Sequence, residues 1–223
     1  MATAPDKRMY GQFCGLAAAL DVIGERWTLL IVRELLLGPA RFNQLAENLP
    51  GLGPNLLSSR LQTLANEGLV DSAPVEGDGR GKVYQLTALG AGLRQPVLAL
   101  ARWGLQRLDD DIAVSGYTRA AWGFLAVEAM VAAGPRPTVD ETYEFRVDDE
   151  AFHIEVRDGK AVTGRGAGPD PAIICSTDAG TFIRIGAGLL SPFEAVVTGR
   201  LNLQGDFEAI ERCTRLMGLA TDG

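Results

Sequence analysis

The 223-residue chain holds 21 Lys/Arg against 28 Asp/Glu, a net charge of −7, with room for one or two domains and a sizeable core. One histidine (His153) and three scattered cysteines (Cys14, Cys175 and Cys213) argue against a zinc site and a disulfide framework. No apolar run approaches the roughly 20 residues of a membrane helix, and the opening MATAPDKRMYGQF has no signal-peptide core, so a reducing cytoplasm is expected and no membrane.

Leu16 to Ile23 predicts a short helix broken by Gly24. Trp27 to Leu37 predicts a second, apolar at helical spacing and stopped by Gly38-Pro39. A third amphipathic segment, Arg41 to Asn48, meets the breaker Pro50-Gly51-Leu52-Gly53-Pro54. A fourth follows, Asn55 to Glu67, with Leu56, Leu57, Leu61 and Leu64 on one face, and Gly68 ends it. Next come a strand (Leu69 to Val75), a polar glycine tip (Glu76 to Gly81) and a second strand (Lys82 to Leu86). Helix, turn, helix and hairpin make a winged helix-turn-helix, an arrangement that sets one helix in the major groove of DNA.

The polar face of the fourth segment holds Asn55, Ser58, Ser59, Gln62 and Thr63, with Arg60 at its border. Short polar side chains there read base edges, while Arg41 or Arg60 holds a phosphate or a guanine. Arg80 and Lys82 flank the wing tip, where phosphates or the minor groove are the expected contacts. The plain alternative is a solvated helix face and solvated tip charges. Residues 1–110 carry 11 basic and 11 acidic side chains, and residues 111–223 carry 10 against 17, so the acidity lies outside the winged half. Even so, that half is only neutral. Modest phosphate-driven affinity and dependence on dimerisation are expected.

Thr87 reads as the N-cap of a long helix, Ala88 to about Asp110, which Pro96 either kinks or divides into two. Its apolar surface exceeds what a small winged domain needs, so part is expected to face a second chain. In the second half, Ala120 to Ala133 predicts a buried helix. Strands follow at Glu141 to Val147, Ala151 to Arg157 and Lys160 to Gly164, with Asp158-Gly159 as a hairpin turn. Period two in Tyr143, Phe145, Val147 and in Phe152, Ile154, Val156 makes one sheet face apolar. Pro171 to Ser176 and Arg200 to Gln204 read as further strands. Ala179 to Gly188, Ser191 to Thr198 and Phe207 to Leu216 read as helices, with Asp178 and Ser191-Pro192 as start signals.

Several motifs together resemble the HxlR-type bacterial regulators over about residues 10–108. They are Cys14; Leu20-Asp21-Val22-Ile23-Gly24-Glu25-Arg26-Trp27; Gly38-Pro39-Ala40-Arg41-Phe42-Asn43-Gln44-Leu45; Leu57-Ser58-Ser59-Arg60-Leu61; and Tyr84-Gln85-Leu86-Thr87-Ala88-Leu89-Gly90. The resemblance implies a homodimer on double-stranded DNA with a two-fold operator, joined through the N-terminal and post-wing helices. One position departs: many relatives have proline after the early cysteine, where this chain has Gly15.

Residues 115–220 resemble the sterol-carrier-protein type of lipid-binding domain, through Asp170-Pro171, Thr177-Asp178, Gly188-Leu189-Leu190-Ser191-Pro192-Phe193-Glu194-Ala195 and Gly199-Arg200-Leu201-Asn202-Leu203-Gln204-Gly205-Asp206. That family encloses an apolar tunnel for a fatty acyl chain or sterol. The implied lining is Trp122, Phe124, Phe145, Phe152, Ile154, Phe182, Ile185, Leu189 and Phe193. The alternative for each is plain core.

Cys14 is a redox candidate, because the start of a helix lowers a thiol pKa, although a small cysteine also suits a dimer core. Cys175 and Cys213 read as core. The expected fold class is α+β: a winged helix-turn-helix domain (residues 1–112) followed by an α+β sterol-carrier-protein-like domain (residues 113–223). The expected function is a DNA-binding transcriptional regulator, a repressor, modulated by a small apolar ligand. The alternatives are a rear half that is only a structural or dimerisation module, or a signal carried by oxidation of Cys14. No nucleophile elbow, phosphate loop or dinucleotide fingerprint appears, so neither an enzyme nor a cofactor is expected.

Overall fold

The computed structural model describes residues 9–75, 78–109, 111 and 116–219, without side chains at 75 and 78–80. The chain forms two compact units that divide after Val97.

In the first unit, α1 (Gly15–Ile23) and α2 (Thr28–Leu36) are joined through Trp27, which adopts a left-handed conformation (φ 78°). A short strand, β1 (Ala40–Arg41), leads directly into α3 (Phe42–Asn48), and α4 (Pro54–Asn66) follows the breaker with Pro54 in its first turn. The wing is β2 (Val70–Val75) and β3 (Asp78–Leu86). With β1 it makes a three-stranded antiparallel sheet in the order β1-β3-β2. Two expectations change here. Ala40–Arg41 is strand, because its backbone pairs with Tyr84 and Val83, which the local pattern does not reveal. Asp78 to Gly81 belongs to β3 rather than to a tip, since Asp78 already pairs with Val75 across the hairpin.

The core of this unit is aliphatic: Ile31 and Val32 of α2, Leu45 of α3, Leu57, Leu61 and Leu64 of α4, and Leu69 and Val70 are buried. Leu56 is not part of it. It is 37% exposed, because the seam of α4 runs through positions 57, 61 and 64 and Leu56 lies about 100° away from it.

The post-wing segment is two helices, α5 (Ala88–Ala91) and α6 (Arg94–Leu105). Thr87 caps α5 as expected: its hydroxyl accepts from Gly90 N–H (3.1 Å) and donates to Gly68 O (2.6 Å). The break falls at Gly92-Leu93, ahead of Pro96. Pro96 divides the segment as one of the two expected outcomes: it cannot donate to the carbonyl of Gly92, four residues back, and as the third residue of α6 it sits where a helix needs no such bond. Gly90 permits the close approach of α5 to the wing. A Cβ at that position would meet Leu69 O at 2.0 Å, so only glycine allows this approach to the wing. The helix ends at Leu105 rather than near Asp110, which lies outside the described residues.

The second unit contains α7 (Ala120–Val131), β4 (Thr142–Val147), β5 (Glu150–Arg157), β6 (Lys160–Arg165), β7 (Ile173–Thr177), α8 (Ala179–Gly186), α9 (Pro192–Val197), β8 (Leu201–Gly205) and α10 (Phe207–Leu216). The sheet order is β6-β5-β4-β7-β8, antiparallel except for the central β4–β7 pair. Asp158 and Gly159 both take positive φ (51° and 68°), the turn that suits a two-residue hairpin. Asp178, Ser191 and Asp206 cap α8, α9 and α10 by accepting from the N–H groups of Thr181, Glu194 and Ala209.

Period two locates the inner face correctly, with Tyr143, Phe145, Val147, Phe152, Ile154 and Val156 all buried. It misses the other side of β4. Thr142 and Glu144 are buried as well, and the Glu144 carboxylate accepts from Arg146 Nε (2.7 Å) and Gly168 N–H (3.0 Å). The segment after β6 thus packs on the outer face of a central strand, and a charge can sit there because it is paired and hydrogen-bonded. Phe145 stacks on Phe152 (centroids 5.6 Å apart), and Phe182 meets both edge-on.

Candidate nucleic-acid interface and apolar cavity

Three leucines anchor α4 and leave its other side in solvent. Asn55, Ser58, Ser59 and Gln62 are exposed and Thr63 is half-buried. Local bonds order this face: Gln62 Nε2 donates to Asn66 Oδ1 (2.9 Å) and the Thr63 hydroxyl donates to Ser59 O (3.1 Å).

Arg60 is held differently from the rest. Its Nη2 lies 2.8 Å from Glu25 Oε2 and its Nε donates to Arg26 O (3.3 Å), which braces α4 against the turn between α1 and α2. Only 18% of its side chain is exposed. Arg41 sits at the start of α3 with its side chain exposed, and its N–H donates to Gln44 Oε1 (2.7 Å). Lys82 is exposed on β3, opposite Pro74. The Arg80 side chain lies outside the described residues.

Cys14 stands immediately before α1 and is exposed. The N–H groups of Ala17 and then Leu16 favour its thiolate and hold it below the ordinary thiol range. Burial does the opposite to the other two thiols. It pushes Cys175 up to about 12 and Cys213 well above its usual value.

Those two cysteines line the cavity of the second unit. It has a volume of about 60 Å³ and its walls include Phe145, Phe182, Ile185, Cys175, Cys213 and Met217. Of the nine residues expected around a ligand, Phe145, Phe182 and Ile185 therefore do line it. Phe124, Phe152 and Ile154 are buried outside its wall, in the aromatic core. Trp122 stacks edge-on against Tyr117 (5.7 Å), and Leu189 does not reach the cavity. Phe193 is 78% exposed, because α9 turns the small Ala195 inward and Phe193, Val196 and Val197 outward. The β7, β8 and α10 side of the wall escaped sequence reasoning. Its one legible signal was the apolar row Ala209, Cys213, Leu216 and Met217 at helical spacing.

Residues 22–111 match the family described as HxlR-like helix-turn-helix. The chain is 46% identical over 86 residues to an uncharacterized HTH-type transcriptional regulator of Mycobacterium tuberculosis, a match covering 39% of this chain and 54% of that protein. It thus spans about half the length of that relative. With the uncharacterized HTH-type transcriptional regulator YvaP of Bacillus subtilis it shares 33% identity over 41% of this chain and 84% of YvaP.

The chain belongs to the HxlR-like helix-turn-helix family.

This HxlR-like protein carries a winged helix-turn-helix, and residues 131–218 match the SCP-2 sterol transfer family. Among solved structures, quinone-bound YodB of Bacillus subtilis is 28% identical, covering 41% of this chain and 96% of that one, with a TM-score of 0.36. Among the described residues of the HxlR-like chain, no helix is long and apolar enough to cross a membrane.

Proposed function

We propose that this regulator binds a two-fold operator as a homodimer and represses transcription, with α4 in the major groove and the wing on the flanking backbone. The observation that carries this is the division of α4 between a buried seam (Leu57, Leu61, Leu64) and an outward row of short polar side chains. The dimer is supported by α1, in which Ala17 alone is buried while Leu16 and Leu20 are exposed beside Phe13. Leu100 and Trp103 are likewise exposed on α6.

The second unit, on this reading, holds an apolar ligand. Its cavity of about 60 Å³ is too small for an acyl chain as it stands, since a dry cavity of about 150 Å³ takes no more than benzene. Binding must therefore open the wall, and Met217, with three rotatable bonds, and the Phe182 ring are the movable parts. Ligand that opens the cavity binds two states unequally, which is the condition for changing operator affinity. The reading assigns the chain no catalytic role.

Footprinting on the promoter beside its own gene and mass spectrometry of a denatured sample test the two halves of the reading. A paired footprint and a co-purified lipid are expected. Operator titrations with and without that lipid should differ by a factor of about 5 to 150. Lipid binding with no change in operator affinity reduces the second unit to a structural module. A second reading, oxidation of Cys14 as the signal, is favoured by its exposure and its lowered pKa. It predicts that an oxidant releases the operator from the native protein and not from Cys14→Ser.

A further inference from the structure

A second pocket lies in the same unit, between the loop 135–139 and α10. It has a volume of about 120 Å³, and its wall brings together Arg136, Arg212 and Arg215 around Tyr143 and Leu216, with no carboxylate among the lining residues. We propose that it is a binding site for a small oxyanion, the carboxylate or phosphate group of a metabolite.

Three guanidinium groups line this pocket, and carboxylates to pair with them are not scarce in this half of the chain. Residues 111–223 carry a net charge of −7, so carboxylates are plentiful nearby. Arg212 uses them: it forks onto Glu141 (2.6 and 2.9 Å) and approaches Asp206 and Glu208 at 3.6 Å. Arg136 and Arg215 do not. Among the described residues, the Arg136 side chain has one hydrogen bond, to Gly159 O at 3.3 Å, and the Arg215 side chain has none. Two guanidiniums without a carboxylate therefore face one pocket, beside a third that is fixed in place by its own pairing.

Glu141 does not oppose an anion here. Its charge is matched by Arg212 and by the Tyr143 hydroxyl, which donates to Oε1 (2.5 Å), and it does not line the pocket. The frame is also rigid. Pro135 and Pro137 restrict the loop, and a Cβ on Gly134 would meet Leu216 O at 1.9 Å, so the loop starts in direct contact with α10. At Gly159 a Cβ would stand 3.0 Å from Arg136 Nε, so a glycine leaves the room in which Arg136 lies. A guanidinium fork matches both carboxylate and phosphate, and a fixed pair gains from geometry as well as charge.

Calorimetric titration of the full-length protein with octanoate, octanol and inorganic phosphate tests this. Octanoate should bind more tightly than octanol, and phosphate should bind and compete with it. The double variant Arg136→Gln/Arg215→Gln should weaken both anions about tenfold or more while leaving octanol unchanged. Neither side chain is buried, so the fold should survive, and an unaltered near-UV circular dichroism spectrum confirms that it has. Binding of phosphate without octanoate makes the ligand a phosphorylated one and sustains the site. Binding of both anions with no octanol sustains it too, and instead removes the apolar reading of the neighbouring cavity. Failure of phosphate to bind, equal affinity for octanoate and octanol where both bind, or anion affinities unchanged in the double variant would overturn the proposal.

Discussion

Arg60 and Cys14 show how much a single side chain's role depends on its neighbours. Arg60 spends two of its donors on Glu25 and Arg26 O, so it braces α4 whether or not it meets DNA. Glu25 is 70% exposed, and a pair of that kind contributes about 0.2–1 kcal/mol. Arg60→Ala should lower stability by that small amount in urea denaturation. If Arg60 also contacts a base, operator binding falls by a further ~1–3 kcal/mol in a gel shift at fixed salt. Lost stability with unchanged affinity would make it a brace and nothing more. The thiols divide just as sharply. A disulfide reagent at neutral pH should label Cys14 rapidly and leave the buried Cys175 and Cys213 until the protein unfolds. Three thiols reacting at one rate in the native protein would contradict this placement.

At the scale of elements, caps and cross-element pairs decide where helices start and what they hold. Thr87 both caps α5 and ties it to Gly68 O, so Thr87→Ala should cost about 1 kcal/mol, read as a lower denaturant midpoint at unchanged slope. Glu141 joins the start of β4 to α10 through Arg212, which holds its carboxyl below the ordinary range, with the Tyr143 hydroxyl helping and burial opposing. A carboxyl depressed in the folded state stabilises above its unfolded value, about 4.3, and that stability is lost as pH falls through the lower folded value. Thermal stability should therefore fall with acid below about pH 4.3, and Glu141→Gln should be less stable at pH 7 with a flatter acid slope. A parallel downward shift at every pH would place the pair outside the titration.

Across the whole molecule, assembly is the quantity to measure. The apolar row Phe13, Leu16 and Leu20 is exposed although each residue is large enough to favour burial. A Leu16→Glu variant should sediment as a monomer at micromolar concentration. It should also lose most operator affinity, because two recognition helices must enter half-sites about 34–36 Å apart or a multiple of that spacing. A variant that stays dimeric would move the interface elsewhere, with Leu100 and Trp103 of α6 as the next residues to test.

The sequence by itself determined the element order, the two families and nearly every helix start, because caps, breakers and apolar periods are local and each acts within a few residues. Thr87, Asp178, Ser191 and the Asp158-Gly159 turn were legible for that reason. Tertiary structure alone decided what depends on distant chain. Strand β1 exists only through its pairing with β3, and the outer face of β4 is buried only because the segment at Gly168 packs on it. The break in the post-wing helix falls four residues before Pro96, where a local rule puts it, whereas the close approach of α5 to the wing is likewise tertiary, since it needs a glycine at position 90 against Leu69 O. Both pockets are tertiary too. Their walls draw on α10 and on β4, more than 60 residues apart in sequence, and no local pattern says which aromatic side chains will border a void and which will fill the core beside it.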